Sequence, residues 1–151
     1  MDYRVKDKDG NIPFFTAVEH GHLDLVRYFV EEGKCSATES KEGEIGTLHL
    51  AANNNHTELM EYLISKGADP EKISIFGRPL NWAVGSGNVE AAQLLLQKGA
   101  DPNGDNSGSS IAPIIIAVDT NNRPIYDILL QKGADINTKD PNGYSVLHLA
   151  A

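Results

Sequence analysis

The apolar residues fall in short bursts that come in pairs. The first burst of each pair is dense and carries small residues near its end. It reads Pro13-Phe14-Phe15-Thr16-Ala17-Val18, Thr47-Leu48-His49-Leu50-Ala51-Ala52 and Pro79-Leu80-Asn81-Trp82-Ala83-Val84. It returns as Pro113-Ile114-Ile115-Ile116-Ala117-Val118 and Val146-Leu147-His148-Leu149-Ala150-Ala151. The second burst is spread at helical spacing: Leu25, Val26 and Phe29; Leu59, Met60 and Leu63; Ala91, Leu94 and Leu95; Ile125, Ile128 and Leu129. This pattern predicts two helices per unit, the first short and close-packed, the second amphipathic. A polar turn separates them, and its third residue is Gly21, Asn55, Gly87 or Asn121. Gly and Asn are the residues that most readily take positive φ, so a left-handed residue is predicted there. Each second helix runs into Gly33, Gly67, Gly99 or Gly133, which suits a left-handed C-cap.

Two independent words keep one period. The four glycines recur at steps of 34, 32 and 34, and the first-helix word at steps of 34, 32, 34 and 33. One helix pair cannot bury its apolar face alone, so such units must stack. The approximate units are 7–40, 41–72, 73–106, 107–139 and a partial 140–151, one array over residues 1–151. Because the last unit stops inside its first helix, the array is expected to continue in a longer protein.

These words resemble the ankyrin repeat: a Thr-Pro-Leu-His-x-Ala-Ala first helix, a Gly-His turn, a second helix, then Gly-Ala-Asp. Lys66-Gly67-Ala68-Asp69, Lys98-Gly99-Ala100-Asp101 and Lys132-Gly133-Ala134-Asp135 carry the last word nearly unchanged. The resemblance covers residues 7 to 151. It implies an all-α solenoid of L-shaped helix-turn-helix units with projecting finger loops. A second resemblance rests on Arg78-Pro79-Leu80-Asn81-Trp82-Ala83 followed by Ala112-Pro113-Ile114. It is to ankyrin arrays joined to tetratricopeptide domains in co-chaperone-like proteins, and most of it is shared by all ankyrin repeats.

Departures from the pattern predict uneven stability. The position before the family's Pro is Ile12, Gly46, Arg78, Ala112 or Ser145, and only Ser145 can cap the helix with its side chain. The family's His survives as His49 and His148 but is Phe15, Asn81 or Ile115 elsewhere. Units 3 and 4 are therefore expected to be the least stable.

Composition narrows the function. Of 151 residues, 40% are hydrophobic and 23% charged, which suits a soluble packed domain. The formal charge of −8 argues against a nucleic-acid-tracking surface and against anionic membranes. No apolar run approaches a membrane span, and the first ten residues lack the apolar stretch of a signal peptide. Cys35 is the only cysteine, so a reducing compartment, cytosol or nucleus, is expected.

Candidate chemistry is sparse. There is no His-x-x-x-His or Cys-x-x-Cys pair, no Gly-x-Ser-x-Gly elbow and no Gly-x-x-x-x-Gly-Lys loop. The run from Asp101 to Asn106 has alternating oxygen groups. It fails as a calcium loop, because its sixth position is Asn106 and its twelfth is Ala112. Asn55-His56-Thr57 fits a glycosylation sequon, but Asn55 is also the turn residue. No enzyme, cofactor, metal site or small-molecule substrate is expected.

What remains is a surface. The resemblance implies that a partner protein meets finger loops and the ends of first helices. By register the expected contact positions are Asn11, Ile45, Ile75, Ile111 and Tyr144 on fingers, and His20, Asn53, Ser86 and Asp119 at helix ends. Large apolar side chains in a polar rim suit an interface core, the alternative being that some, especially Ile45 and Ile111, fold inward against the first helix. Trp82 is expected in the core, and Phe76 is open to either reading. The expected function is a monomeric protein-interaction scaffold or adaptor. The alternative is a client-targeting arm of a larger chaperone-associated or enzymatic protein.

Overall fold

The computed structural model describes residues 12–104 and 111–146. Asn11 and His148 lie outside the described residues, as does most of the loop that ends at Ser110. Each unit contributes a seven-residue helix and a nine-residue helix. The short ones are α1 (Pro13–Glu19), α3 (Thr47–Asn53), α5 (Pro79–Gly85) and α7 (Pro113–Asp119). The longer ones are α2 (Leu23–Glu31), α4 (Thr57–Ser65), α6 (Val89–Gln97) and α8 (Arg123–Gln131). A single strand pair stands among the described residues, β1 (Ser40–Lys41) antiparallel to β2 (Ile45–Gly46). It forms the second finger, closed by a tight turn over Glu42–Glu44 in which Gly43 and Glu44 have positive φ of 80° and 59°.

The local geometry follows from residue type. Pro13, Pro79 and Pro113 open their helices, where a missing N–H costs nothing. Thr47 replaces proline in α3, and its Oγ1 donates to the Ala37 carbonyl at 2.6 Å. The turn residues Gly21, Asn55, Gly87 and Asn121 all have positive φ, between 53° and 71°. That left-handed step lets the next residue's N–H reach back to the first helix, as His22 does to Ala17 and Asn122 to Ala117. Gly33, Gly67, Gly99 and Gly133 are left-handed too. Beyond each, one N–H closes the helix end: Lys34 to Phe29, Ala68 to Leu63, Ala100 to Leu95 and Ala134 to Leu129.

The helices form two rows. In the inner row α3 packs between α1 and α5, and α5 packs on α7; in the outer row α6 packs between α4 and α8. Ala17, Ala51, Ala83 and Ala117 occupy one register position of the inner helices and are all buried. A side chain that small lets adjacent helices approach closely. Between the rows lie Phe14, Leu59, Met60, Leu63, Leu80, Leu95, Ile114, Ile125 and Leu129, each fully buried. Burying one such side chain contributes about 1.5–3 kcal/mol, so the rows hold together through this layer.

Polar bonds between units are concentrated at the junction of units 2 and 3. His49 Nδ1 accepts from the Gly46 N–H at 3.0 Å, and its Nε2 lies 3.2 Å from the Gly77 carbonyl of the next finger. Asn88 donates to the Ala52 and Asn53 carbonyls, and Asn55 bonds both Glu90 and the Ala91 N–H. The sequon asparagine is thus a strut between units.

Asn81 departs from the sequence expectation. Its Oδ1 accepts from the Arg78 N–H at 3.2 Å, and its Nδ2 donates to the Ile111 carbonyl at 2.6 Å. An amide makes the same two bonds that the imidazole of His49 makes. Unit 3 therefore keeps the tie that the missing histidine was expected to remove. Unit 4 has Ile115 at this position, which has no polar group to offer.

Candidate functional site

The finger loops and the ends of the inner helices share one side of the molecule. Most of its polar groups are engaged within the fold. Ser86 Oγ donates to Asn53 Oδ1 at 2.6 Å, so two expected contact residues hold each other. His20 Nδ1 lies 2.8 Å from the Thr16 carbonyl, and its ring stacks on His22 at 5.8 Å. His56 Nε2 donates to the Glu19 carbonyl of the previous unit at 2.8 Å. The Asp119 side chain is exposed and makes no polar contact among the described residues.

Three cations of this side are paired among the described residues. Lys41 meets Glu19 at 2.8 Å, Lys72 meets Glu44 at 3.1 Å, and Arg78 meets Glu71 at 2.8 Å. Glu71 also accepts from the Asp101 N–H, which ties two loops together. His49 is fully buried, and burial pushes its pKa down to about 4. It is neutral near pH 7, with Nδ1 as acceptor and Nε2–H as donor. That makes it a fixed strut and leaves it no free lone pair for a metal or a substrate.

Three of the four apolar finger residues project outward. Ile75, Tyr144 and Ile111 are 66%, 53% and 44% exposed. Ile45 is the exception, because β2 leads directly into α3 and turns its side chain against the core. It offers a partner far less area than its finger position suggested.

Two further residues belong to this face: Phe76, which the sequence left open, and Trp82, which was expected in the core. Phe76 is 67% exposed. Trp82 is half-buried, contrary to the expected inward packing. Its ring lies edge-on to Phe76 at 6.0 Å and to His49 at 5.6 Å. Its Nε1–H donates to Ser74 Oγ at 3.3 Å, and Ser74 also accepts from the Phe76 N–H and donates to the Gly77 carbonyl. The buried serine fixes both aromatic groups. Ile75 lies over the second finger, where its N–H donates to the Gly43 carbonyl and a Cβ on Gly43 would stand 2.7 Å from its Cδ1.

The concavities are small. A cleft of about 170 Å³ under the second finger is lined by Ala37, Thr47, His49, Ala68, Asp69 and Lys72. A groove of about 240 Å³ between α4 and α6 is lined by Glu58, Glu61, Glu90, Gln93, Leu94 and Gln97. Both fall below the roughly 300–1,000 Å³ of ordinary ligand pockets. The projecting apolar side chains are the more distinctive feature. No helix among the described residues is long and apolar enough to cross a membrane.

Comparison with known proteins agrees with this architecture. A family model described as ankyrin repeats in three copies matches residues 1–74 and 80–151. Alpha-latrocrustotoxin-Lt1a of Latrodectus tredecimguttatus is 38% identical over 60 residues, 40% of this chain and 4% of that protein. BRCA1-associated RING domain protein 1 of Caenorhabditis elegans is 35% identical over 71 residues, 47% of this chain and 10% of its own. Putative palmitoyltransferase ZDHHC13 of Danio rerio is 34% identical over 137 residues, 89% of this chain and 21% of that protein. The chain thus spans a small part of each of these relatives. With a helix pair recurring at this period, left-handed turns at the predicted places and a family model over nearly every residue, the chain belongs to the ankyrin-repeat family.

Proposed function

We propose that this array is a protein-interaction module that grips a partner through its fingers and inner-helix ends, acting as a scaffold or adaptor and catalysing nothing itself. Ankyrin repeats generally mediate protein–protein interaction. The observation that carries the reading is the outward projection of Ile75 and Phe76 beside Trp82, where the neighbouring cations Lys72 and Arg78 are internally paired. Aromatic and aliphatic groups inside a polar rim are the composition of an interface core. A stacked array is also rigid, which limits the entropy lost on binding. The net charge of −8 disfavours nucleic acid and anionic lipid as partners. A lone, buried Cys35 suits the cytosol or nucleus.

The test compares partner recovery by the native array with that by an Ile75→Asp/Tyr144→Asp variant. A Glu58→Lys/Gln93→Lys variant of the outer face serves as control. Loss of the same recovered proteins in the first variant alone is the expected result. Equal recovery by all three forms sinks the apolar-finger reading.

A second reading has one observation in its favour: the match to a putative palmitoyltransferase runs through 89% of this chain. In that reading the array delivers substrates to an enzyme that transfers acyl groups to thiols. Proteins recovered on the array should then carry hydroxylamine-labile acyl chains more often than the starting extract. No enrichment counts against it.

A further inference from the structure

The exposed apolar residues of the third finger continue onto the inner helices as one ledge. Trp82 and Ile116 hold the same register position in α5 and α7, and both are half-buried rather than covered. Between them lies Gly85, one turn beyond Trp82 on the same side of α5. The equivalent positions in the other units carry Glu19, Asn53 and Asp119. Nothing but Ile116 Cγ2, at 4.0 Å, would touch a Cβ on Gly85. The ledge therefore has an aromatic wall, Phe76 and Trp82, and a notch at Gly85 floored by bare backbone.

Charge tells what kind of segment fits. The neighbouring cations Lys72 and Arg78 are held by Glu44 and Glu71. The uncompensated charges at the two ends of the ledge are carboxylates. Glu42 sits next to Gly43, against which Ile75 lies, and Asp119 ends α7, the helix packed on α5, at the register position that Gly85 holds in α5. Neither has a cationic partner among the described residues. Opposite charge on a partner would speed docking and fix its register.

We propose that this ledge takes an extended segment of a partner protein in which a bulky aliphatic or aromatic side chain enters the notch beside Trp82, flanked by Lys or Arg residues that meet Glu42 and Asp119. The proposal rests on the interaction-module reading and names the chemistry of the partner.

Trp82 is the only tryptophan in the chain, so its emission reports the ledge directly. Three short synthetic peptides serve as probes: Leu-Ile between Lys and Arg flanks, Leu-Ile between Glu flanks, and Ser-Gly between Lys and Arg flanks. The first should shift Trp82 emission to the blue and shield it from iodide. The other two should bind about tenfold more weakly or worse. Gly85→Gln fills the notch at an exposed, open position, so the fold should persist by circular dichroism while peptide binding is lost. Asp119→Asn should weaken binding several-fold at low salt and little at high salt.

Equal binding of the Glu-flanked peptide overturns the charge assignment. Binding that survives Gly85→Gln overturns the notch. An emission shift that depends on protein concentration without peptide would mean that a second copy is the occupant, which also overturns the proposal. If no peptide moves Trp82, the segment chemistry is wrong. Partner recovery with the Ile75→Asp/Tyr144→Asp variant still judges the broader reading separately.

Discussion

His49 and Asn81 differ in ring, length and titration, yet each closes its own helix start and holds the finger of the next unit. The difference should appear as pH dependence. The His49 pKa is lowered from 6.5 to about 4 in the fold, chiefly by desolvation. The unfolded chain therefore binds a proton at this residue that the folded chain refuses. Its contribution is complete above about pH 6.5, declines as the pH falls, and is spent below about pH 4. At 1.36 kcal/mol per unit the loss is about 3 kcal/mol. Urea unfolding at pH 7 and at pH 5 should show it, and His49→Asn should flatten the difference while keeping much of the stability at neutral pH. A pH dependence unchanged in His49→Asn would exclude His49 as its source. Reading the sequence by register placed His49 correctly in a structural role. It counted Asn81 as a loss, because residue identity hides the fact that an amide offers an acceptor and a donor at similar reach.

At the level of the turn, equal backbone geometry can carry unequal constraint. Gly21 and Gly87 both have φ of +71°. Alanine at either position must adopt a left-handed conformation, at a cost of roughly 1–2 kcal/mol. At Gly87 the new Cβ would meet only Asn122 Nδ2, at 3.4 Å. At Gly21 it would stand 2.6 to 2.8 Å from the ring of His56, which is bonded to Glu19. Gly21→Ala should therefore lower the urea midpoint more than Gly87→Ala, by about 1 kcal/mol for the displaced hydrogen bond. Equal losses would mean that the His56 ring swings clear. Gly85→Ala should act in the opposite direction, with a gain of about 0.5–1 kcal/mol measured by thermal unfolding, since its φ is ordinary and the space is open. The turns and C-caps were legible in the sequence because positive φ admits few residue types. The caps of the inner helices were less so: at Gly46 and Arg78 the N–H is satisfied by a side chain three residues on.

Along the whole array, cohesion should follow the bonds between units. The junction of α3 with α5 combines close packing with the ties of His49, Ser86, Asn88 and Asn55. Hydrogen exchange should be slowest there and faster in α7 and α8, where Ile115 leaves no equivalent tie. Uniform protection across the four units would contradict this order. The solenoid was legible because every unit repeats the same demands on backbone and core. The Trp82 ledge was not, since its exposure depends on Gly85 and Ile116, residues that different units bring together. The relay itself bears on how such arrays diversify. In both His49 and Asn81 the donor belongs to one unit and the acceptor is a main-chain carbonyl of the next, Gly77 or Ile111. Every residue supplies a carbonyl whatever its side chain. Units joined in this way can be duplicated, and their fingers can drift in sequence, without a matching change next door.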